Sequence, residues 1–308
     1  MGGERAGGAG PGGSARWLTR RRRNYLIAFA FVAPALVNFL VFRYIPILAA
    51  IRSSLWQYSL LGGYGDFIGL QAYARLLLDP IFWKSLTVTV QYVLLKVPPQ
   101  IILSLALAVF LAREDRFSAL VRSAIFAPVV TSIVVISIIW SLMYHVQLGL
   151  LNSMFTSVGL PRIAFLSNAR LALAAITIMM IWKEVGFSLI ILMAGLKGIP
   201  ETFYEAARID GTTAWQQFRH ITLPLLRRVL MFVVVTQTIF AFQVFVPVYT
   251  MTKGGPLDAT KVIVYYIYQM GFLFQDMGYA SALSMITLLV LLAVSTAQMR
   301  WLRSEVEY

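Results

Sequence analysis

The sequence predicts an all-α integral membrane protein with six transmembrane helices, its N- and C-termini both in the cytoplasm, and three observations carry that reading. The first is composition: of 308 residues 59% are apolar and 13% charged, with mean hydropathy +0.76, whereas an ordinary soluble domain is about a quarter charged. The second is clustering, because the apolar residues fall in continuous runs near the roughly 20 needed to cross a hydrocarbon layer about 30 Å thick as a helix. The third is that these runs do not alternate apolar with polar at every second residue, which favours helices over barrel strands. A water-soluble globule is excluded. So is a disordered chain, since 20 Phe, 14 Tyr and 7 Trp are the opposite of its composition.

The first 15 residues, MGGERAGGAGPGGSA, have too little side-chain bulk to bury a core. With Arg5, Arg16, Arg20, Arg21, Arg22 and Arg23 they make residues 1–24 a disordered, basic cytoplasmic tail ahead of a membrane domain of residues 25–308. The first apolar run, 25–42, is long for a removable signal. It is followed by Arg43, Tyr44 and Ile45 rather than by a small-residue cleavage site, so it is a retained span. Further spans are expected at 86–111, 120–144, 171–196, 229–251 and 281–301. Pro34, Pro98, Pro99, Pro128 and Pro247 fall in or near them and should kink helices.

Basic residues give an independent test of orientation. Placing the N-terminus inside puts 16 Lys and Arg on the cytoplasmic side and 8 on the other, with Lys96 and Lys183 left inside spans. That bias supports N-in and C-in in the plasma membrane. The formal net charge of +13 therefore belongs to membrane topology, and no nucleic acid partner is expected. With no cysteine there is no disulfide framework and no thiolate metal site.

Residues 197–228, between the fourth and fifth spans, are not a simple connector. Pro200 suits a first helical position and Glu201 the positive end of a helix dipole. Gly211 supplies a left-handed helix stop, Thr212 or Thr213 can cap a second helix, and Pro224 marks its end or bend. The result is a rigid helix pair with a hinge, suited to transmitting force. Ala206 and Ala207 allow a surface to approach closely. Glu205 and Arg208 are three apart and either pair with each other or face a partner.

Glu205, Ala206 and Ala207, then three residues, Gly211, nine residues, and Ile221, Leu223 and Pro224 resemble the signature of the inner-membrane permease subunits of binding-protein-dependent ABC importers. The segments FIGLQAYARLLLDPIFWKSL from Phe67, ILMAGLKGIPETFYEAARIDG from Ile191, TKGGP from Thr252 and YASALSM from Tyr279 are similar to the carbohydrate branch, which includes the first permease of maltose and glycerol-phosphate systems. The resemblance runs from about residue 25 to the C-terminus. It implies a permease that works with a second homologous permease, two ATP-binding subunits that carry the ATP and Mg, and an extracytoplasmic solute-binding protein. It also implies that the loop docks on an ATPase. Glu205 would anchor that contact, Ala206 and Ala207 would permit close packing, Gly211 would set the turn, and Arg208 and Asp210 lie between them in the same segment.

The residues agree that power must come from elsewhere. None of the six lysines follows a glycine, so the phosphate-cradling loop G-x-x-x-x-G-K-[S/T] is absent. His145 and His220 are far apart, and no catalytic or metal-binding constellation is expected. Within spans, Lys96, Lys183 and Glu184 are costly by about 2.5–3.5 kcal/mol each on insertion scales and tend to face cavities or partners. Lys96 either does so or snorkels. Glu184 either contacts solute or bridges helices. Gln237, Phe240 and Gln243 of the fifth span offer the amide and aromatic chemistry that sugars use, or join this chain to a neighbouring helix. The expected function is the translocation subunit of a sugar importer. Alternatives are a glycerol-phosphate or phosphodiester importer, a stand-alone gradient-driven carrier, and a scaffold without transport.

Overall fold

A computed structural model describes residues 13–112 and 115–302; Arg5, Arg113 and Arg303 of the charge argument lie outside them. The chain divides into two units, Met1–Arg52 and Ser53–Tyr308.

The first unit begins with α1 (Gly13–Phe39), followed by a π-helical turn (Leu40–Tyr44) and α2 (Ile45–Ser54). The disordered tail expected to reach residue 24 is therefore too long. Residues 13–24 are helical, because alanine, leucine and the arginines are good helix formers and continue the apolar helix backwards. Pro34 does not interrupt α1. The π turn ends two residues before Pro46, whose missing N–H falls where the hydrogen-bond register already shifts. From Arg20 to Arg52 no side chain is buried.

The second unit opens on a feature that the all-α expectation missed, an antiparallel hairpin of β1 (Trp56–Ser59) and β2 (Gly63–Phe67). Tyr58 pairs with Tyr64 and Trp56 with Phe67; aromatic residues favour strands, and Gly63 in the left-handed region makes the turn. Then come α3 (Gln71–Leu78), α4 (Pro80–Phe110), α5 (Arg116–Val130), α6 (Ile133–Met143), α7 (Leu150–Ser157) and α8 (Ala172–Lys197). The loop region holds α9 (Glu201–Ile209), α10 (Ala214–Gln217), a π turn (Phe218–Thr222) and α11 (Leu223–Leu225). The chain finishes with α12 (Arg227–Phe242), α13 (Val246–Met251), α14 (Ile263–Tyr268) with a π turn (Gln269–Leu273), and α15 (Met277–Leu302).

Among the described residues five helical stretches are long and apolar enough to cross a bilayer: Arg20–Ser54, Pro80–Phe110, Ala172–Lys197, Arg227–Met251 and Met277–Trp301. The span expected at 120–144 is instead α5 and α6, bent by 100°. A sixth crossing exists only if that broken pair counts as one. The break follows Pro128, which lacks an N–H; Thr131 and Ser132 turn extended, and the Thr131 hydroxyl donates to the Ala127 carbonyl at 3.1 Å. Pro98 and Pro99, expected to kink α4, leave it one continuous helix of 31 residues.

Lipid tails are as apolar as leucine, so close packing and hydrogen bonds rather than water exclusion hold such helices together. α4 and α8 run against each other along most of their length. At one end Leu111, Leu189, Leu192 and Leu226 meet; in the middle Tyr92, Val97, Ile176 and Met179 do. At the far end Leu76, Phe82, Ile263 and Tyr279 join α3, α4, α14 and α15. α5 crosses α8 at Gly186, where a Cβ would sit 2.5 Å from the Ile125 carbonyl oxygen. Only glycine fits that crossing.

Candidate functional site

The loop between α8 and α12 is the helix pair its capping residues predict. Glu201 stands in the first turn of α9, with Pro200 one position earlier than expected, as the cap residue. Gly211 takes φ +72°, a conformation that L side chains resist, and the Thr212 amide closes back on the Ala207 carbonyl at 3.1 Å. The Thr212 hydroxyl donates to the same carbonyl at 2.7 Å. Thr213 and Gln216 form a reciprocal capping box at the start of α10. Pro224 does not end the second helix; it lies in α11, two residues past the π turn, and α12 follows at once.

Within α9 the expected Glu205–Arg208 ion pair is absent. Arg208 reaches back two turns to Glu201 at 2.6 Å, because both lie at the edge of the helix where the long guanidinium can span seven residues. Glu205, Ala206, Asp210 and Gly211 are exposed, while Ala207 is buried. The Tyr204 hydroxyl meets the Thr222 hydroxyl at 2.9 Å and fastens α9 to the π turn that leads into α12. Ile221 is half-buried; Leu223 and Pro224 are exposed. Behind α9 lies a cavity of about 510 Å³ whose walls include Val109, Met193, Leu196, Tyr204 and Phe218. The loop therefore exposes Glu205 and Ala206 and is fastened through Tyr204 to the turn that leads into α12.

Mid-bundle, the structure brings together three of the residues singled out in the spans. Lys96 on α4 is fully buried, and its Nζ donates to Glu184 Oε2 at 2.5 Å and to Gln237 Oε1 at 3.2 Å. Gln237 donates onward to the Ser188 hydroxyl at 3.1 Å, and Gln100 donates to the same hydroxyl at 3.2 Å. Ser104 donates to the Gln100 carbonyl at 2.6 Å. Snorkelling of Lys96 is thus excluded: it is neutralised in place, as burial of a charge requires. The Glu184 side chain keeps 21% of its surface open against 1% for Lys96, so the carboxylate is the accessible member of the pair.

The remaining span residues do other work. Lys183 donates to the Val129 carbonyl at 3.3 Å, capping the broken end of α5. Phe240 is exposed and lies 6.1 Å, centroid to centroid, from Phe187 on α8. Gln243 is exposed at the end of α12. Sequence reasoning missed Gln100, Ser104, Phe187 and Ser188. Their signal was the four-residue spacing of Lys96, Gln100 and Ser104, and of Glu184 and Ser188, which stacks polar groups on one helix face.

A second polar cluster, also missed, sits at the opposite end of the bundle from the loop. Asp79 caps α4 by accepting from the Ile81 amide at 2.8 Å and accepts from the hydroxyls of Tyr266 at 2.5 Å and Tyr279 at 2.6 Å. Burial raises its pKa, but those donors outweigh burial and hold the carboxyl below its usual range. Burial, reinforced by the carboxylate, pushes the Tyr266 hydroxyl up. Arg75 bridges to Asp276 at 2.7 Å and lies 4.2 Å over the Tyr279 ring. No group of metal-ligating side chains occurs among the described residues.

Comparison with known proteins gives the fold and the family of the chain. The fold matches a subunit in the crystal structure of a bacterial alginate ABC transporter in complex with alginate pentasaccharide-bound periplasmic protein, with TM-score 0.82, 24% identity, and 94% of this chain and 97% of that one covered. The family described as binding-protein-dependent transport system inner membrane component matches residues 100–308, and the chain belongs to it. It is a multi-pass protein of the inner membrane. Among relatives, it is 36% identical over 288 residues to the probable ABC transporter permease protein YurN of Bacillus subtilis (strain 168), covering 92% of this chain and 98% of that protein. It is 35% identical over 274 residues to the lactose transport system permease protein LacF of Rhizobium radiobacter, covering 87% and 91%.

Proposed function

We propose that this chain is the non-catalytic translocation subunit of an ATP-driven importer for a neutral carbohydrate, driven through the loop of residues 197–228. The observation that carries the reading is the build of that loop. α9 closes at Gly211, α10 opens on the Thr213–Gln216 capping box, Glu205 and Ala206 are exposed, and the Tyr204–Thr222 bond fastens α9 to the turn that leads into α12, the helix that holds Gln237. A push on α9 is therefore passed to α12, and to α8, which the chain joins to α9 through residues 198–200. The push comes from two ATP-binding subunits that carry ATP and Mg. A second homologous permease completes the path, and an extracytoplasmic solute-binding protein delivers the solute. In this scheme Phe240, Phe187 and the open edge of Glu184 meet the solute, with Gln243 further along the path; Lys96 and Gln237 hold Glu184 in position.

The carbohydrate assignment draws on the relative named for lactose and on charge. An anionic glycerol phosphate or phosphodiester would call for an accessible, uncompensated cation in the path, whereas Lys96 is compensated and Lys183 is buried. Lys96 is paired with Glu184 and Lys183 donates to the Val129 carbonyl.

The test is Glu205→Lys in the assembled transporter. Folding and membrane insertion should be unchanged, because Glu205 is exposed and makes no ion pair among the described residues, while ATP-dependent sugar uptake by vesicles is lost and the ATPase subunits bind more weakly. Normal uptake by that variant would overturn the coupling role.

A further inference from the structure

Beside the Arg75–Asp276 bridge, at the end of the bundle away from the loop, a cavity of about 650 Å³ opens between the hairpin, α3 and the start of α15. Its size falls within the roughly 300–1,000 Å³ of small-ligand sites. Trp56 and Tyr58 of β1 form one wall. Both rings are held from behind: Tyr58 stacks on Tyr64 at 4.3 Å, Trp56 packs edge-on against Phe67 at 5.4 Å, and the Ser53 and Tyr64 hydroxyls meet at 2.8 Å.

The same cavity is lined by three glutamines, Gln57, Gln71 and Gln275, Gln57 lying on the face of the hairpin away from the two rings. All three are exposed, and none makes a side-chain hydrogen bond among the described residues. Each amide thus has a donor and an acceptor to offer. Gln275 is held at φ +59°, a left-handed conformation costly for a side chain with a Cβ. The one cation of the cavity is cancelled: Arg75 is bridged to Asp276 and stacked on Tyr279.

Aromatic rings and unpaired amides around one cavity, with no net charge, suit a ligand that has an apolar C–H face and a rim of neighbouring hydroxyls. The geometry points to a second carbohydrate-binding site here, separate from the path between the spans, at which a neutral sugar is held outside the bundle. A phosphate or carboxylate group is disfavoured, since Asp276 already occupies the Arg75 guanidinium. The site rests on the carbohydrate reading above. It adds a holding point that Phe240 and Glu184 do not supply.

The experiment uses the transporter assembled with its partner permease and ATPase subunits in lipid nanodiscs, without the solute-binding protein. Calorimetric titration with lactose, maltotriose and glycerol 3-phosphate should show millimolar binding of a neutral sugar and none of the phosphate, since an open cavity gains few hydrogen bonds. Gln57→Ala and Gln71→Ala should each weaken binding about tenfold. Phe240→Ala should remove only binding in the path between the spans and leave the glutamine-dependent part in place. The site is refuted if wild type binds no sugar, if both glutamine variants bind sugar as wild type does, or if Phe240→Ala abolishes all binding. A separate binding assay with the solute-binding protein added also refutes the site if the glutamine variants weaken only attachment of that protein, since the cavity is then a protein contact. Uptake by the complete system separates the two claims. Sugar import without binding at the cavity removes the site alone; failure to import any neutral sugar removes the carbohydrate reading, and the site with it.

Discussion

Lys96 illustrates what a charge between membrane helices requires: a counter-ion at 2.5 Å and an amide oxygen at 3.2 Å, contributed by two other helices. Removing one member leaves the other charge buried and unpaired, which costs about 3–5 kcal/mol in proteins generally. Glu184→Met and Lys96→Met should therefore each lower the unfolding temperature sharply, and the two combined should recover most of the loss. Thermal unfolding of the two single variants and the double in detergent gives the coupling; an additive double variant would show that the pair does not act as a unit. That these residues were candidates was legible, because charges in apolar runs are conspicuous. Their partners were not, since they lie 88 and 141 positions away and only packing brings them together. Asp79 and Tyr266 were invisible for the same reason. The Asp79 pKa is lower in the folded chain than in the unfolded one, so its contribution to stability is present above the ordinary carboxylate range and is lost as pH falls through the depressed value. Stability measured from about pH 5 downward should drop, and Asp79→Asn should flatten that acid limb.

At the scale of elements, local chemistry predicts what local chemistry controls. The capping residues marked α9 and α10 because a cap acts within one turn, and the long apolar runs marked the spans. The bend between α5 and α6 escaped notice because residues 120–144 read as an unbroken apolar run; the hydroxyls of Thr131 and Ser132 and the preceding Pro128 were its only local signs. The hairpin escaped because its alternation covers only a few residues. α5 stays on α8 through backbone proximity at Gly186, so Gly186→Leu should drive the Ile125 carbonyl away. The expected outcome is loss of the α5–α8 contact, measurable as faster proteolysis at the bend and poor membrane yield. Gly195→Leu should be milder, because a Cβ there meets the side chains of Leu226 and Val229, which can shift.

For the whole molecule, polar work is segregated along the bundle. The loop with Glu205 and Ala206 lies at one end, the Lys96–Glu184 network crosses the middle, and the Asp79 and Arg75 clusters close the other end. All three apolar clusters are built from residues at or beyond Ala72. The helix from Arg20 to Ser54, by contrast, buries nothing in its apolar window. A substitution there that keeps the length and apolarity of the helix leaves all three clusters untouched, whereas almost any enlargement along α8 reaches one of them.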